Sequence, residues 1–397
     1  SLRGWGVGVC IVGLLALMAA PLPAAPAEDA EDAEPAAPEL DFDWYGYIKL
    51  DASWDESLIA PGNFAIWAVS PSIVEEHSHF NMTARQSRLG VNLNRSADEG
   101  LEIGAKVEID FYGGSAENKN RPQLRHAYMD LIWPERDLVL RAGQASDVIS
   151  PLVPTTLNYT VAWWVGNIGY RRPLVALTKS FGDGPGQTKM TAAISRTIGD
   201  DFGAVEPGDS GVDSGQPTVQ AALWRTFELS GRGGRLGLSG HWGSENLREE
   251  MGEPMVEADS WSINLDFAIP LGSKVLLKGE AWDGDNLDDY FGGIAQGINF
   301  ETGQGIGAKG GWASLEVRPG DALLTSVGFG IDDPNDEALG AGGRSHNQAI
   351  WANVLWDIRP VLTFGLEVSQ WDTEYIELED GSSTRVQASV IYRFASK

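Results

Sequence analysis

The sequence predicts an all-β chain, a transmembrane antiparallel up-and-down β-barrel of about sixteen strands. Three observations predict it. Apolar residues recur at every second position along most of the chain, no stretch past the N-terminal segment is long and apolar enough for a spanning helix, and connections between the alternating segments run short, long, short, long.

Composition sets the bounds. The 397 residues, 43% apolar and 21% charged, allow two or three ordinary domains or one large β-rich domain. The 48 glycines and 15 tryptophans favour the second, because a membrane barrel uses glycine in tight turns and tryptophan at interfaces. A net charge of -27 repels phosphates, which excludes nucleic acid as a partner. The single cysteine, Cys10, lies in an apolar run, so a processed chain holds no disulfide and no cysteine metal site. Gly6 to Val9 lack the leucine of a lipidation signal.

Residues 1–27 read as a cleavable signal peptide: Arg3 is the positive end, Ile11 to Ala20 the apolar core, and Ala25-Pro26-Ala27 the small-x-small cleavage pattern. Residues 28–41 read as an acidic Ala/Pro periplasmic linker, since alanine, acid and proline bury too little to fold. The barrel is expected over 42–397.

Within it, Trp44, Gly46, Ile48, Leu50, Ala52 and Trp54 share one face of a first strand, and Tyr45, Tyr47, Lys49, Asp51 and Ser53 the other. The two tryptophans lie about 25 Å apart along the membrane normal for a strand tilted near 40°, the height of an apolar band. On this reading Leu50 faces lipid, and Asp51 is a lumen residue whose replacement by Asn costs little. The alternation repeats at Leu101–Phe111, Trp261–Ile269, Ile350–Trp356 and Val386–Phe394.

A soluble sandwich also alternates, so connection lengths decide. Short turns are expected at 95–100, 134–136, 182–186, 231–234, 270–273, 318–320 and 358–360, rich in glycine and proline. Long loops are expected at 56–83, 113–120, 146–172, 198–215, 244–257, 283–303, 332–345 and 372–382. That alternation places both termini on the periplasmic side and the long loops outside.

Other motifs have plain readings. Gly208-Asp209-Ser210-Gly211 copies a serine-protease nucleophile sequence, but Val212 breaks its continuation and a triad needs a rigid scaffold. His77 and His79 lack a third ligand of distinctive spacing. Asp283, Asp285, Asp288 and Asp289 are weak Ca²⁺ candidates: hard oxygen ligands without the glycine placement of an EF-hand. No cofactor is expected.

Several stretches carry a family likeness: Gly46-Tyr47-Ile48-Lys49-Leu50-Asp51, Gln86-Ser87-Arg88-Leu89, Leu124-Arg125-His126-Ala127-Tyr128, Ala142-Gly143-Gln144, Ser150-Pro151-Leu152 and Gly166 to Pro173. In these the chain resembles the DcaP-like family of trimeric outer-membrane porins. The resemblance implies a homotrimer in outer-membrane lipid and lipopolysaccharide, a third loop (146–172) folded into the pore, and a preference for small organic anions such as dicarboxylates. Two features depart from it. Residues 28–39 hold no heptad for a periplasmic coiled coil, and Phe394 is followed by Ala395, Ser396 and Lys397 where a terminal aromatic is usual.

The candidate pore or solute-binding residues are Lys49, Arg88, Arg125, Arg141, Arg171 and Arg172, because guanidinium groups stay charged and clamp carboxylates with two hydrogen bonds. The competing reading pairs the arginines with Glu108, Asp110 and Asp147, leaving a general diffusion or cation-selective porin. A structural barrel without a conducting lumen, or an outer-membrane enzyme, stays as a further alternative, although the five scattered histidines form no catalytic cluster.

Overall fold

The computed structural model describes residues 40–59, 63–98, 100–114, 119–198, 210–247 and 256–396. The expected signal peptide and residues 28–39 of the linker lie outside these. Apart from a short hairpin of Ile298–Asn299 with Gln304–Gly305, the described strands form one sheet closed on itself. Its strands are β1 (Asp41–Asp55), β2 in two pieces (His79–Thr83 and Arg88–Asp98), β3 (Leu101–Asp110), β4 (Gln123–Trp133), β5 (Leu138–Ser146), β6 (Arg171–Phe181), β7 (Thr188–Ser195) and β8 (Thr218–Leu229). The second half is β9 (Arg232–Leu247), β10 (Val256–Pro270), β11 (Val275–Asp285), β12 (Gly307–Gly320), β13 (Leu323–Pro334), β14 (Arg344–Arg359), β15 (Leu362–Tyr375) and β16 (Gly381–Ala395).

Each strand pairs antiparallel with its neighbours in sequence, and β1 pairs with β16 from Tyr45↔Ala395 to Asp55↔Arg385, which closes sixteen strands. Both pieces of β2 pair with β1, so they count as one strand interrupted at Ala84–Ser87.

The faces are inverted relative to a soluble protein. Along β15 Phe364, Leu366 and Val368 are exposed, while Thr363, Glu367, Ser369 and Thr373 are buried. A sandwich would bury the apolar set, so the alternation belongs to a barrel with lipid outside and a polar interior. Trp44, Trp54, Trp242, Trp261 and Trp356 stand exposed on the outer surface.

Several strands outrun their apolar bands. β13 continues to Pro334, β15 to Tyr375, and β16 begins at Gly381, so the expected loops at 332–345 and 372–382 shrink to 335–343 and 376–380. Ladder hydrogen bonds satisfy the backbone above the membrane as well as within it, and apolar periodicity alone does not mark where they stop. Likewise β1 starts at Asp41, inside the expected linker, and the third loop spans 147–170.

Candidate functional site: the lumen and its three inward loops

Strands β1, β8, β9, β11, β12 and β14 to β16 carry lumenal polar residues that receive the third loop. Glu280 on β11 accepts from the backbone N–H of Leu152 (2.7 Å), Glu316 on β12 from the Thr155 hydroxyl, and Glu367 on β15 from Leu157 N–H (2.8 Å) and the Asn158 amide (3.0 Å). These carboxylates stand where the free N–H groups of a coil segment need acceptors. The wall is tailored to the loop's backbone: a Cβ on Gly330 of β13 would lie 2.1 Å from the Val165 carbonyl oxygen, so only glycine permits this approach. The third loop therefore lies inside the barrel, bonded to its lumenal wall.

Two further loops turn inward, which the sequence reading missed. The first loop (56–78) is tied to the third by Tyr159 N–H to Asn63 O (3.2 Å) and the Thr160 hydroxyl to Ala65 O (2.7 Å). The sixth loop (286–306) is tied to it by Trp164 N–H to Phe291 O (2.8 Å) and Gly169 N–H to Tyr290 O (2.7 Å). The three meet in an aromatic cluster of Phe64, Trp67, Tyr112, Tyr159, Trp163, Trp164, Tyr170 and Phe291. A signal for this existed: Phe64-Ala65-Ile66-Trp67-Ala68-Val69 and Val161-Ala162-Trp163-Trp164-Val165 are apolar runs too costly to leave in solvent-exposed loops.

Of the six candidate residues, five have carboxylate partners. Arg88 lies 3.4 Å from Glu108, Arg125 3.0 Å from Glu108 and 2.6 Å from Asp110, and Arg141 2.8 Å from Asp130. Arg172, fully buried, meets Asp147 at 2.8 Å and covers the Tyr290 ring. Lys49 is buried against the third loop. Its buried ammonium meets Asp51 at 3.1 Å and donates to the Leu157 carbonyl at 2.8 Å, so it anchors the third loop. Asp51 differs from its expected role too: it also accepts from Asn63 (2.8 Å), Gln387 (3.0 Å) and Ser389, and its neutralisation breaks a buried network.

Arg171 is the sixth. It is 6% exposed, forms no ion pair among the described residues, and its Nε and Nη2 are buried without a hydrogen-bond partner. Its guanidinium lies 4.7 Å from the Tyr170 ring centroid and 6.0 Å from that of Trp163. Arg125 joins the same aromatic cluster through Tyr159, whose hydroxyl lies 3.1 Å from its Nη1. Burial raises the Tyr159 phenol above its ordinary pKa, so it stays protonated and serves as a donor beside Asp110 (3.0 Å) and Gln123 (2.9 Å). Lys106, which sequence reasoning did not select, adds a cation 3.6 Å from Glu108.

The acids near the sixth loop do not form one group. Asp283 and Asp285 belong to β11, with Asp283 exposed, because the strand runs beyond the expected loop start. Asp288 and Asp289 join Glu245 instead, their carboxylate oxygens lying within 4.8 Å of one another. The His77 and His79 rings lie 4.3 Å apart, tilted by 41°. Of the protease-like motif, Gly208 and Asp209 lie outside the described residues, and Ser210–Asp213 is one helical turn. Buried His241 has both ring nitrogens against serine hydroxyls, Ser262 at 2.8 Å and Ser260 at 3.0 Å, beneath the Tyr290 ring.

No protein-family model matches the chain, and no curated protein matches it in sequence. Solved structures do. The outer membrane channel DcaP of Acinetobacter baumannii superposes with a TM-score of 0.71 at 16% identity, covering 92% of this chain and 100% of that one. The anion-selective porin from Comamonas acidovorans gives 0.57 at 12% identity, covering 90% and 100%. The trimer form of OmpT from Vibrio cholerae gives 0.54 at 10% identity, covering 90% and 100%. The DcaP likeness in structure agrees with the one in sequence motifs. With its sixteen closed strands, lipid-facing exterior and inward third loop, the chain has the fold of the outer-membrane porins.

Proposed function

We propose that the protein is an outer-membrane porin passing small hydrophilic solutes, with a constriction that prefers small organic anions such as dicarboxylates. The single observation behind the preference is Arg171, a buried guanidinium beside the lumen with no carboxylate partner among the described residues. An uncompensated buried charge is unfavourable, and an anion passing the constriction supplies the missing acceptor. Its surroundings reinforce this. Arg88, Lys106 and Arg125 already share two carboxylates, Glu108 and Asp110, and Arg171 adds a fourth positive charge with no carboxylate of its own among the described residues. Loop acids carry most of the net -27, but screening confines their influence to within about 8 to 10 Å.

The ion pairs of Arg88, Arg125, Arg141 and Arg172 favour a second reading, a general diffusion porin whose lumenal charges cancel. Recordings in planar bilayers separate the two. Unitary conductance steps, interrupted when a dicarboxylate is added and uninterrupted in Arg171→Ala, support anion preference. Steps indifferent to dicarboxylate support general diffusion, and an absence of steps supports a structural barrel.

In the cell the protein is proposed to enter the outer membrane after removal of residues 1–27, with 28–39 as a periplasmic tail, and to assemble as a homotrimer against lipid and lipopolysaccharide. OmpT of Vibrio cholerae, which shares the fold, has been solved in a trimer form.

A further inference from the structure

The third loop holds one side of the constriction, yet the sixth loop reaches the same place from the opposite wall. Its leading turn is fixed by side chains of four strands. Arg172 of β6 covers the Tyr290 ring at 3.9 Å and donates to the Asp289 carbonyl at 3.2 Å. His241 of β9 stacks on the Tyr290 ring at a centroid distance of 3.9 Å, Asp332 of β13 accepts from Ile294 N–H at 3.4 Å, and Arg344 of β14 donates to the Ile294 carbonyl at 2.9 Å. Leu287, Tyr290 and Ile294 are buried almost completely. A solvent-facing cover loop needs none of these attachments.

Backbone strain marks the same region. Of eleven non-glycine residues with positive φ among the described residues, eight lie in the third and sixth loops: Ser150, Val161, Ala162, Trp164, Asn286, Phe291, Ile294 and Ala295. Val161 and Ile294 are β-branched, for which this conformation is unfavourable and persists only where surrounding contacts enforce it. Phe291 itself, at φ 64, is presented by this turn. Its ring centroid lies 4.4 Å from Trp163, 4.6 Å from Trp164 and 4.6 Å from Tyr170, and the ring stays partly in contact with water. Trp163 and Tyr170 are the rings that carry Arg171.

We propose that the sixth loop is a second constriction element and that Phe291 is a specificity-determining residue that sets the largest solute able to pass Arg171. The proposal rests on the reading of the barrel as a conducting channel. A ring wedged between the two aromatics that bear the free guanidinium narrows the approach to that cation, while the Tyr290 and Ile294 attachments stop it from swinging away.

Cysteine modification tests it directly, because Cys10 is the only cysteine in the sequence and lies in the segment expected to be removed. In Phe291→Cys, a bulky thiol reagent is expected to cause a stepwise loss of unitary conductance that a reductant reverses. In Phe291→Ala, proteoliposomes are expected to swell in sugars too large for the wild type; Phe291→Leu gives the same direction if the alanine variant does not refold. Unchanged conductance after modification confirmed by mass spectrometry, or failure of the cysteine to react, overturns the proposal, as does an unchanged size limit in the folded variants. A wild-type protein without conductance overturns the channel reading itself, and is told apart because it precedes any comparison of variants.

Discussion

The outward face of β10 offers a measure of the lipid assignment. Leu265 is half exposed and its ladder partners are Leu238, itself exposed, and Ala281, so an arginine there meets acyl chains rather than a polar neighbour. It lies four residues below Trp261, which marks the outer interface. At about 3.3 Å per residue and a tilt near 40° this is roughly 10 Å of depth, close to the middle of a band about 25 Å tall. Leu265→Arg is therefore expected to cost about 2 to 4 kcal/mol. Asp259 shares the outward face but sits beyond Trp261, where the cost of Asp259→Arg falls to about 0 to 1 kcal/mol. Reversible refolding into lipid vesicles, titrated with denaturant, reads both. Equal penalties at the two depths, or no penalty at Leu265, refute the assignment of that face to lipid.

The lumen makes its own predictions. Asp51→Asn leaves the buried ammonium of Lys49 without its counter-charge and is expected to destabilise by about 3 to 5 kcal/mol in the same titration, comparable to a lipid-face arginine at Leu50. Gly330→Val forces the third loop away from β13 into the barrel interior, which should lower unitary conductance while the barrel still refolds; an unchanged conductance contradicts the loop's placement. The native protein should run on gels as an oligomer that changes mobility only after boiling, and a monomer of constant mobility contradicts the trimer.

Strand number and facing were legible in the sequence because they depend on local alternation and on connection lengths: Trp44 to Trp54 reads as a membrane span without any knowledge of its neighbours. Loop placement was not. The carboxylates of Glu280, Glu316 and Glu367 look like ordinary lumenal acids until the third loop is laid across them, and Lys49 looks like a pore cation until Leu157 is found beneath it. The pairing of Arg125 with Asp110 and the isolation of Arg171 likewise come from a fold that brings β3, β4 and the end of the third loop together, a juxtaposition with no periodicity to betray it. Aromatic runs inside expected loops were the one local sign that those loops turn inward.

Anion preference at the constriction is the central claim, and the zero-current potential across a potassium chloride gradient measures it. The wild type is expected to show the sign of an anion-selective pore, with the potential moving towards zero in Arg171→Ala and, less strongly, in Arg88→Ala. A cation-selective wild type, or a potential indifferent to loss of Arg171, contradicts it.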